Sequence, residues 1–264
     1  MKRCHQFIKE NSSNMRLSTM DLTSLFPHGF IRSMEGKTHS HYRNALIKGL
    51  APDLMDQNRT IHEALIHQTF EDYRTQQASD NPSAEAYIQT LKTIGAGLLV
   101  QTFFGVNPGS KHFDYLIGKY RELATPTFAW EVKEQQQTIF VNIRDFLLEN
   151  LETGTELSPN SILAELQKTG GVDETMLGNL IYMVEMGRHD MAGLFRWLSK
   201  YASEQAEAMQ AIADQAIDFS SENMPHARAF VYETLRMDQI ERLGRVMNQD
   251  VVFEGFSIPK GTSV

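Results

Sequence analysis

Three places in the sequence set polar side chains at spacings suited to chemistry. In GKTHSHYR, His39 and Arg43 stand four residues apart, so on a helix they project together. Two such donors suit a ligand carboxylate or phosphate, Arg through its planar fork. The plainer alternative is a solvated basic face shared with Lys37 and Lys48. In EMGRHDMAG, Glu185, Arg188, His189 and Asp190 interrupt an otherwise apolar run. On a helix through a domain centre some of them must pair, as a structural ion-pair cluster, or line a cavity. Gly187 in the same run costs about 1 kcal/mol against alanine in a helix interior. Close approach of a flat ligand, or a local widening of the helix, would supply the reason. Finally, Glu233 and Arg236 in YETLR share a helical face. Glu71/Arg74 and Glu185/Arg188 repeat the same spacing, so spacing alone does not distinguish that pair.

Other chemistries are excluded. The histidines of HEALIH, His62 and His67, lie five residues apart, about 140° around a helix, too far for one metal. Cys4 is the only cysteine, which rules out disulfide frameworks, zinc–cysteine clusters and iron–sulfur sites within the chain. Lys plus Arg number 25 against 33 Asp plus Glu, a net charge of -8 with no basic run, so no nucleic-acid footprint is expected. No run of about 20 apolar residues is present to span a bilayer, and a cytoplasmic protein is expected. No nucleophile–base spacing supports a hydrolase.

Most of the chain reads as helix, and these helices must position the polar groups. Apolar spacing predicts helices over about 36–50, over RTIHEALIHQTFEDYRTQQ, and over AEAYIQTLKTIGAGLLVQTFFG with Ser83 as its cap. The second half of that last helix is apolar nearly all round and should be deeply buried. Further helices are expected over about 111–123, 131–151 and 158–168. A long one over about 172–203 carries EMGRHDMAG and should cross the molecule. Shorter helices over about 203–218 and 224–238 follow. Only RVMNQDVVFEGFSIPKGTSV, with its β-branched residues and its EG and PKG turns, reads as strands. The expectation is a mainly α protein with a small β portion at its C-terminal end.

These segments, in this order, resemble the cytochrome P-450 family of haem-thiolate monooxygenases. MEGKTHSHYR resembles that family's C helix, EMGRHDMAGLFRWL the oxygen-binding stretch of its I helix, and ETLR the Glu-x-x-Arg of its K helix. FEGFSIPKGTSV resembles the strand-turn-strand that follows, and LLVQTFFGVNPGS suits the helix preceding the F and G helices. The resemblance runs from about Phe26 to Val264. It implies a haem b cofactor, a small-molecule substrate and a ferredoxin- or flavoprotein-type electron donor. By resemblance, His39 and Arg43 bind a haem propionate, and Arg245, nine residues beyond Arg236, supplies another propionate contact. Gly187 matches the small residue over the haem. Glu233 and Arg236 match the buried pair that fixes the K helix, a structural role.

Two departures qualify what the resemblance implies. The family's I helix normally carries an acid followed by an alcohol. Here His189 and Asp190 take those places, or Asp190 and Met191 in the neighbouring register. Neither register has a hydroxyl, so the usual proton route is missing; Asp190 would carry protons through water, or the chemistry is atypical. If Arg188 or His189 faced the pocket, it would suit an acidic substrate. Second, the iron ligand comes from a Phe-x-x-Gly-x-x-x-Cys-x-Gly loop beyond the IPKGT segment, and Cys4 has neither that position nor that context. The family's first helix and most of its main sheet are likewise expected to have no counterpart before Phe26. The sequence is therefore expected to be a single partial domain over 1–264, an internal piece inactive alone. The alternative is a non-catalytic helical ligand-binding or interaction protein from a truncated gene, monodisperse without cofactor in size-exclusion chromatography.

Overall fold

The computed structural model describes residues 2–17, 25–26, 29–50, 53–77, 83–123, 134–153, 157–170, 172–217, 224–237 and 244–264. The fold is mainly helical, with two small antiparallel sheets; all-α would overstate it. By contact density the chain divides into two compact units, Leu22–Ile240 and a smaller one made of Met1–Asp21 with Glu241–Val264.

The larger unit contains α2 (Gly36–Gly49), α3 (Leu54–Gln57), α4 (Arg59–Gln77), α5 (Ala84–Phe104), α6 (Lys111–Glu122), α7 (Glu134–Thr153), α8 (Ile162–Lys168), α9 (Glu174–Glu204), α10 (Ala206–Ile217) and α11 (Pro225–Met237). Capping follows the sequence. Ser83 accepts from the Ala86 N–H at the start of α5, Ser110 from Phe113 before α6, and Asp173 from Met176 before α9, each satisfying a backbone donor the helix leaves open. At 31 residues, α9 extends about 46 Å at 1.5 Å per residue. Its first three turns are almost wholly buried, including Met176, Leu177, Leu180, Ile181 and Val184. The second half of α5 is buried as its all-round apolar pattern requires, with Val100 and Phe104 at 0% exposure.

Gly105 ends α5 in the left-handed region, φ 71°, and its N–H donates to Gln101 O at 2.8 Å. A Cβ there would lie 2.7 Å from Ser158 O and 2.9 Å from Ser158 N. Backbone cannot swing aside as a side chain can. Gly105→Ala is therefore expected to cost more than the roughly 1–2 kcal/mol of the dihedral alone, read as a lower denaturant midpoint with unchanged slope.

In the smaller unit, α1 (Lys2–Asn11) and β1 (Met15–Leu17) accompany β2 (Arg245–Met247), β3 (Val251–Phe253) and β4 (Phe256–Ile258). β1 pairs antiparallel with β2 through Met15↔Met247 and Leu17↔Arg245. The other edge of β2 takes the chain's last residues, by Arg245 N–H to Val264 O and Met247 N–H to Thr262 O. β3 and β4 form a hairpin turned by Glu254 (φ 49°) and Gly255 (φ 84°). Two successive positive φ angles match the twist of the strands, as the EG pair in the sequence implied. Phe7 packs edge-on against Phe253 at 5.0 Å, over Met247 and Val251.

Ordered structure begins well before Phe26, with α1 and β1. The pairing of β1 is with residues more than 200 positions away, and three residues centred on Arg16 carry no local strand pattern. Elsewhere observed helices agree with expected ones to within a few residues. Residue 238 of the expected 224–238 helix, residue 218 of the expected 203–218 helix and residues 131–133 of the expected 131–151 helix lie outside the described residues.

Candidate functional site

The best-defined polar centre sits in the middle of α9. Arg188 grips Glu185 with two hydrogen bonds, Nε to Oε2 and Nη2 to Oε1, each 2.7 Å. His189 Nε2 lies 3.1 Å from Glu185 Oε1. The carboxylate only accepts, so the imidazole donates. This centre is buried: side-chain exposure is 5% at Glu185, 10% at Arg188 and 21% at His189. Arg188 also donates toward Leu123 O at 3.4 Å. Beside it the Tyr120 hydroxyl, fully buried, donates to Ile181 O at 3.2 Å. Burial, reinforced by the Glu185 charge, pushes that phenol's pKa well above its usual value. The i, i+3 and i, i+4 spacing of 185, 188 and 189 places all three on one strip of the helix.

Gly187 has a packing reason. A Cβ built there would lie 3.1 Å from Leu99 Cδ1 on α5. On the α5 side, Gly95 brings its backbone within 3.2 Å (measured to a built Cβ) of Met191 Cβ. The two glycines let α5 and α9 approach closely, and the space Gly187 clears is filled by Leu99. Asp190 is half-buried and lies about 140° around α9 from Glu185, on a different strip.

On α2, His39 is half-buried and Arg43 exposed, one turn apart as expected. Among the described residues neither side chain has a hydrogen-bond or ion-pair partner. Tyr42, between them in sequence, instead ties α2 to the start of α9 by donating to Asp173 Oδ2 at 2.7 Å. Arg245, half-buried in β2, keeps its own neighbourhood, with Nη1 donating to Gly244 O at 3.2 Å.

The pair expected to be buried is not. Arg236 does hold Glu233, by bonds of 2.8 and 2.6 Å, and those bonds lower the carboxyl's pKa and raise the guanidinium's. Yet side-chain exposure is 59% and 62%. Of the three Glu-x-x-Arg pairs it is Glu185/Arg188 that is buried, while Glu71/Arg74 is exposed like Glu233/Arg236. The signal lay in the flanks: LIYMVEMGR is apolar around its pair, and FVYETLRMDQIE is polar beyond one face.

An apolar pocket of about 380 Å³ was not foreseen from the sequence. Leu25, Phe26 and Gly29, Phe140 and Val141 of α7, and Gly178 of α9 line its apolar part, with Glu134 and Arg144 of α7 and Glu174 of α9 also on its wall. Asn179, 1% exposed, pins its wall to α9, accepting from Ile31 N–H at 2.8 Å and donating to Gly29 O at 3.1 Å. Phe26 and Phe30 stack at 4.7 Å, each edge-on to Tyr182. These contacts span about 150 residues of sequence, so no local pattern carried them.

Among the described residues no group of three His, Cys, Asp or Glu is placed to hold a metal, and no helix is long and apolar enough to cross a membrane. Cys4 is exposed in α1. For a haem group the donor set fits in one respect only: His39 and Arg43 are adjacent unpaired donors suited to propionate carboxylates, whereas no cysteine other than Cys4 exists to ligate iron.

Comparison with known proteins converges on one family. The sequence model of the cytochrome P-450 family matches residues 134–264. Mitochondrial cytochrome P-450 302a1 of Drosophila melanogaster is 24% identical over 159 residues, covering 55% of this chain and 32% of that protein. The chain therefore spans about a third of that relative's length. Cyanobacterial CYP120A1, solved with retinoic acid bound, superposes with TM-score 0.72 at 13% identity over 98% of this chain and 64% of its own. A zebra fish cytochrome P-450 solved with progesterone gives 0.71 at 16% identity over 99% and 70%. These structures share the fold from α1 onward, which the local sequence around residues 2–17 did not announce. With helices in the expected order and the sequence match covering α7 to the last strands, the chain belongs to the cytochrome P-450 family.

Proposed function

We propose that the complete protein is a haem-dependent monooxygenase that oxidises a small organic substrate with O2, taking electrons from a ferredoxin- or flavoprotein-type donor. The observation that carries this reading is family membership joined to two unpaired donors, His39 and Arg43, at the C-helix position. Bound haem would supply the oxygen-activating iron. On this reading His39 and Arg43 hold one propionate and Arg245 another. Gly187 offers backbone rather than cleared side-chain space toward the haem, because Leu99 takes up its Cβ direction. His189 is engaged by Glu185, and on this reading Asp190, half-buried on another strip of α9, carries protons through water. Arg188 is likewise engaged, so it does not serve as the free cation an acidic substrate would need. The pocket of Leu25, Phe26, Phe140 and Gly178, with Glu134, Arg144 and Glu174 on its wall, favours a substrate with an apolar body and a polar end. A cytoplasmic setting remains part of the proposal, beside a fruit-fly relative described as mitochondrial.

Two experiments test this. Sequencing the coding DNA downstream of the Val264 codon should show the cysteine loop in frame; its absence from the gene removes the monooxygenase reading. In the protein carrying that loop, replacing both His39 and Arg43 with alanine should lower haem occupancy at least tenfold in a haem titration, since two charge-assisted hydrogen bonds are lost. Unchanged occupancy would sink their assignment.

A further inference from the structure

A second cavity, of about 370 Å³, opens where α5, α6 and α9 meet. Its polar wall is cationic. Lys92 comes from α5, Arg121 from α6 and Arg188 and His189 from α9, and no Asp or Glu is among its lining residues. In a chain of net charge -8, such a concentration of positive groups has no compositional cause. Arg188 is neutralised by Glu185, which also engages His189. Lys92 has no such partner: among the described residues it makes neither a hydrogen bond nor an ion pair. Arg121 is held in place rather than neutralised, donating from Nη2 to the Thr93 hydroxyl at 3.1 Å. Thr93 and Lys92 are neighbours on α5, so this bond keeps the guanidinium beside the ammonium. Gln89, Thr93 and Tyr120 complete the polar lining, and the apolar part comes from Ala96, Ile117 and Leu123.

We propose that this cleft binds a small organic anion, its carboxylate held by Lys92 and Arg121 and its apolar body lying on Ala96, Ile117 and Leu123. Arg supplies a fork that matches a carboxylate, and Lys a mobile point charge. The buried Glu185 centre forms the floor and keeps Arg188 from competing for the ligand. A site of this kind discriminates by two criteria together. A neutral molecule of the same shape leaves the two cations unpaired, and a bare inorganic anion leaves the apolar wall wet. The inference uses no haem, so its failure would leave the monooxygenase reading untouched, and the converse holds as well.

Calorimetric titration of the 264-residue chain at low ionic strength tests it, with octanoate, 1-octanol and inorganic phosphate as probes. Octanoate should bind at least tenfold more tightly than either of the others and should weaken as salt rises. Lys92 is half-buried and Arg121 exposed, so Lys92→Gln with Arg121→Gln should leave the thermal melt intact and weaken octanoate at least tenfold. Thr93→Val, which frees Arg121 without removing a charge, should weaken it severalfold. Octanoate binding unchanged in the double variant overturns the proposal, as does octanol binding as tightly as octanoate. Phosphate binding as tightly as octanoate overturns the organic part of it, leaving a simple ion site.

Discussion

Glu185→Ala is expected to destabilise the helical unit by about 3–5 kcal/mol, the cost of stranding a buried charge whose partner has been removed. Arg188 would keep 10% side-chain exposure and lose both bonds of its fork, with only a 3.4 Å contact to Leu123 O remaining. His189 would lose its acceptor at the same time. The loss should appear as a lower midpoint in denaturant unfolding. Replacing Glu185 and Arg188 together by Met and Leu should recover much of it, because a buried pair is often matched by apolar residues of similar volume. Glu233→Ala is the contrasting experiment. That pair is exposed, and solvent screening leaves such pairs little to contribute, so the midpoint should barely move. Equal losses in the two variants would refute the assignment of Glu185/Arg188 as the structural pair in this chain.

The second large effect is expected at Gln101→Leu. Gln101 is completely buried and joins two helices and a turn: its Nε2 donates to Asn58 Oδ1 at 2.8 Å, and its Oε1 lies 2.7 Å from His62 Nε2. Because Oε1 accepts, His62 carries its proton on Nε2. Asn58, also at 0% exposure, passes the network on to Leu54 O and Asn160 O. Leucine would strand the Asn58 amide oxygen and leave the imidazole N–H only the Thr102 hydroxyl, 3.2 Å away. At about 1–3 kcal/mol for a stranded buried group, a loss of about 1–3 kcal/mol follows. A loss near that of an ordinary surface substitution would show the network to be dispensable.

His62 also gives this network a pH dependence of definite sign. Burial lowers its pKa below the ordinary 6.5, and the bond to Gln101 only partly opposes that. Below about pH 6.5 the unfolded chain takes up a proton the native imidazole refuses, so stability falls as pH falls and is complete above that value. Unfolding free energies measured between about pH 7 and 5 should decline, and less so in His62→Gln. With 9 histidines in the chain, the difference between the two profiles is the informative quantity. Identical profiles would contradict the burial argument.

How much of this was readable from the sequence divides along the range of the interactions. The helices were legible because their cause is local: Ser83, Ser110 and Asp173 sit at caps, and apolar spacing runs through α5 and α9. The hairpin at Glu254 and Gly255 was legible for the same reason. The five-residue spacing of His62 from His67 does not suit one metal, but the bond of His62 to Gln101, 39 residues on, had no local trace. Strand β1 and the Asn179 anchor were hidden likewise. The Glu-x-x-Arg pairs show the limit most clearly. Spacing made all three equivalent, family resemblance favoured Glu233/Arg236, and burial singled out Glu185/Arg188. For Gly187 the sequence demanded a reason and could not choose one; Leu99 supplies a packing reason.

One spectrum decides whether this polypeptide carries the family's helical scaffold without the family's iron ligand. The 264-residue chain, mixed with haem, reduced and exposed to carbon monoxide, should give no thiolate-type difference band, because Cys4 is exposed on α1 and lacks the cysteine-loop context. A thiolate-type band that disappears in Cys4→Ser would contradict this directly, and would make Cys4 the ligand.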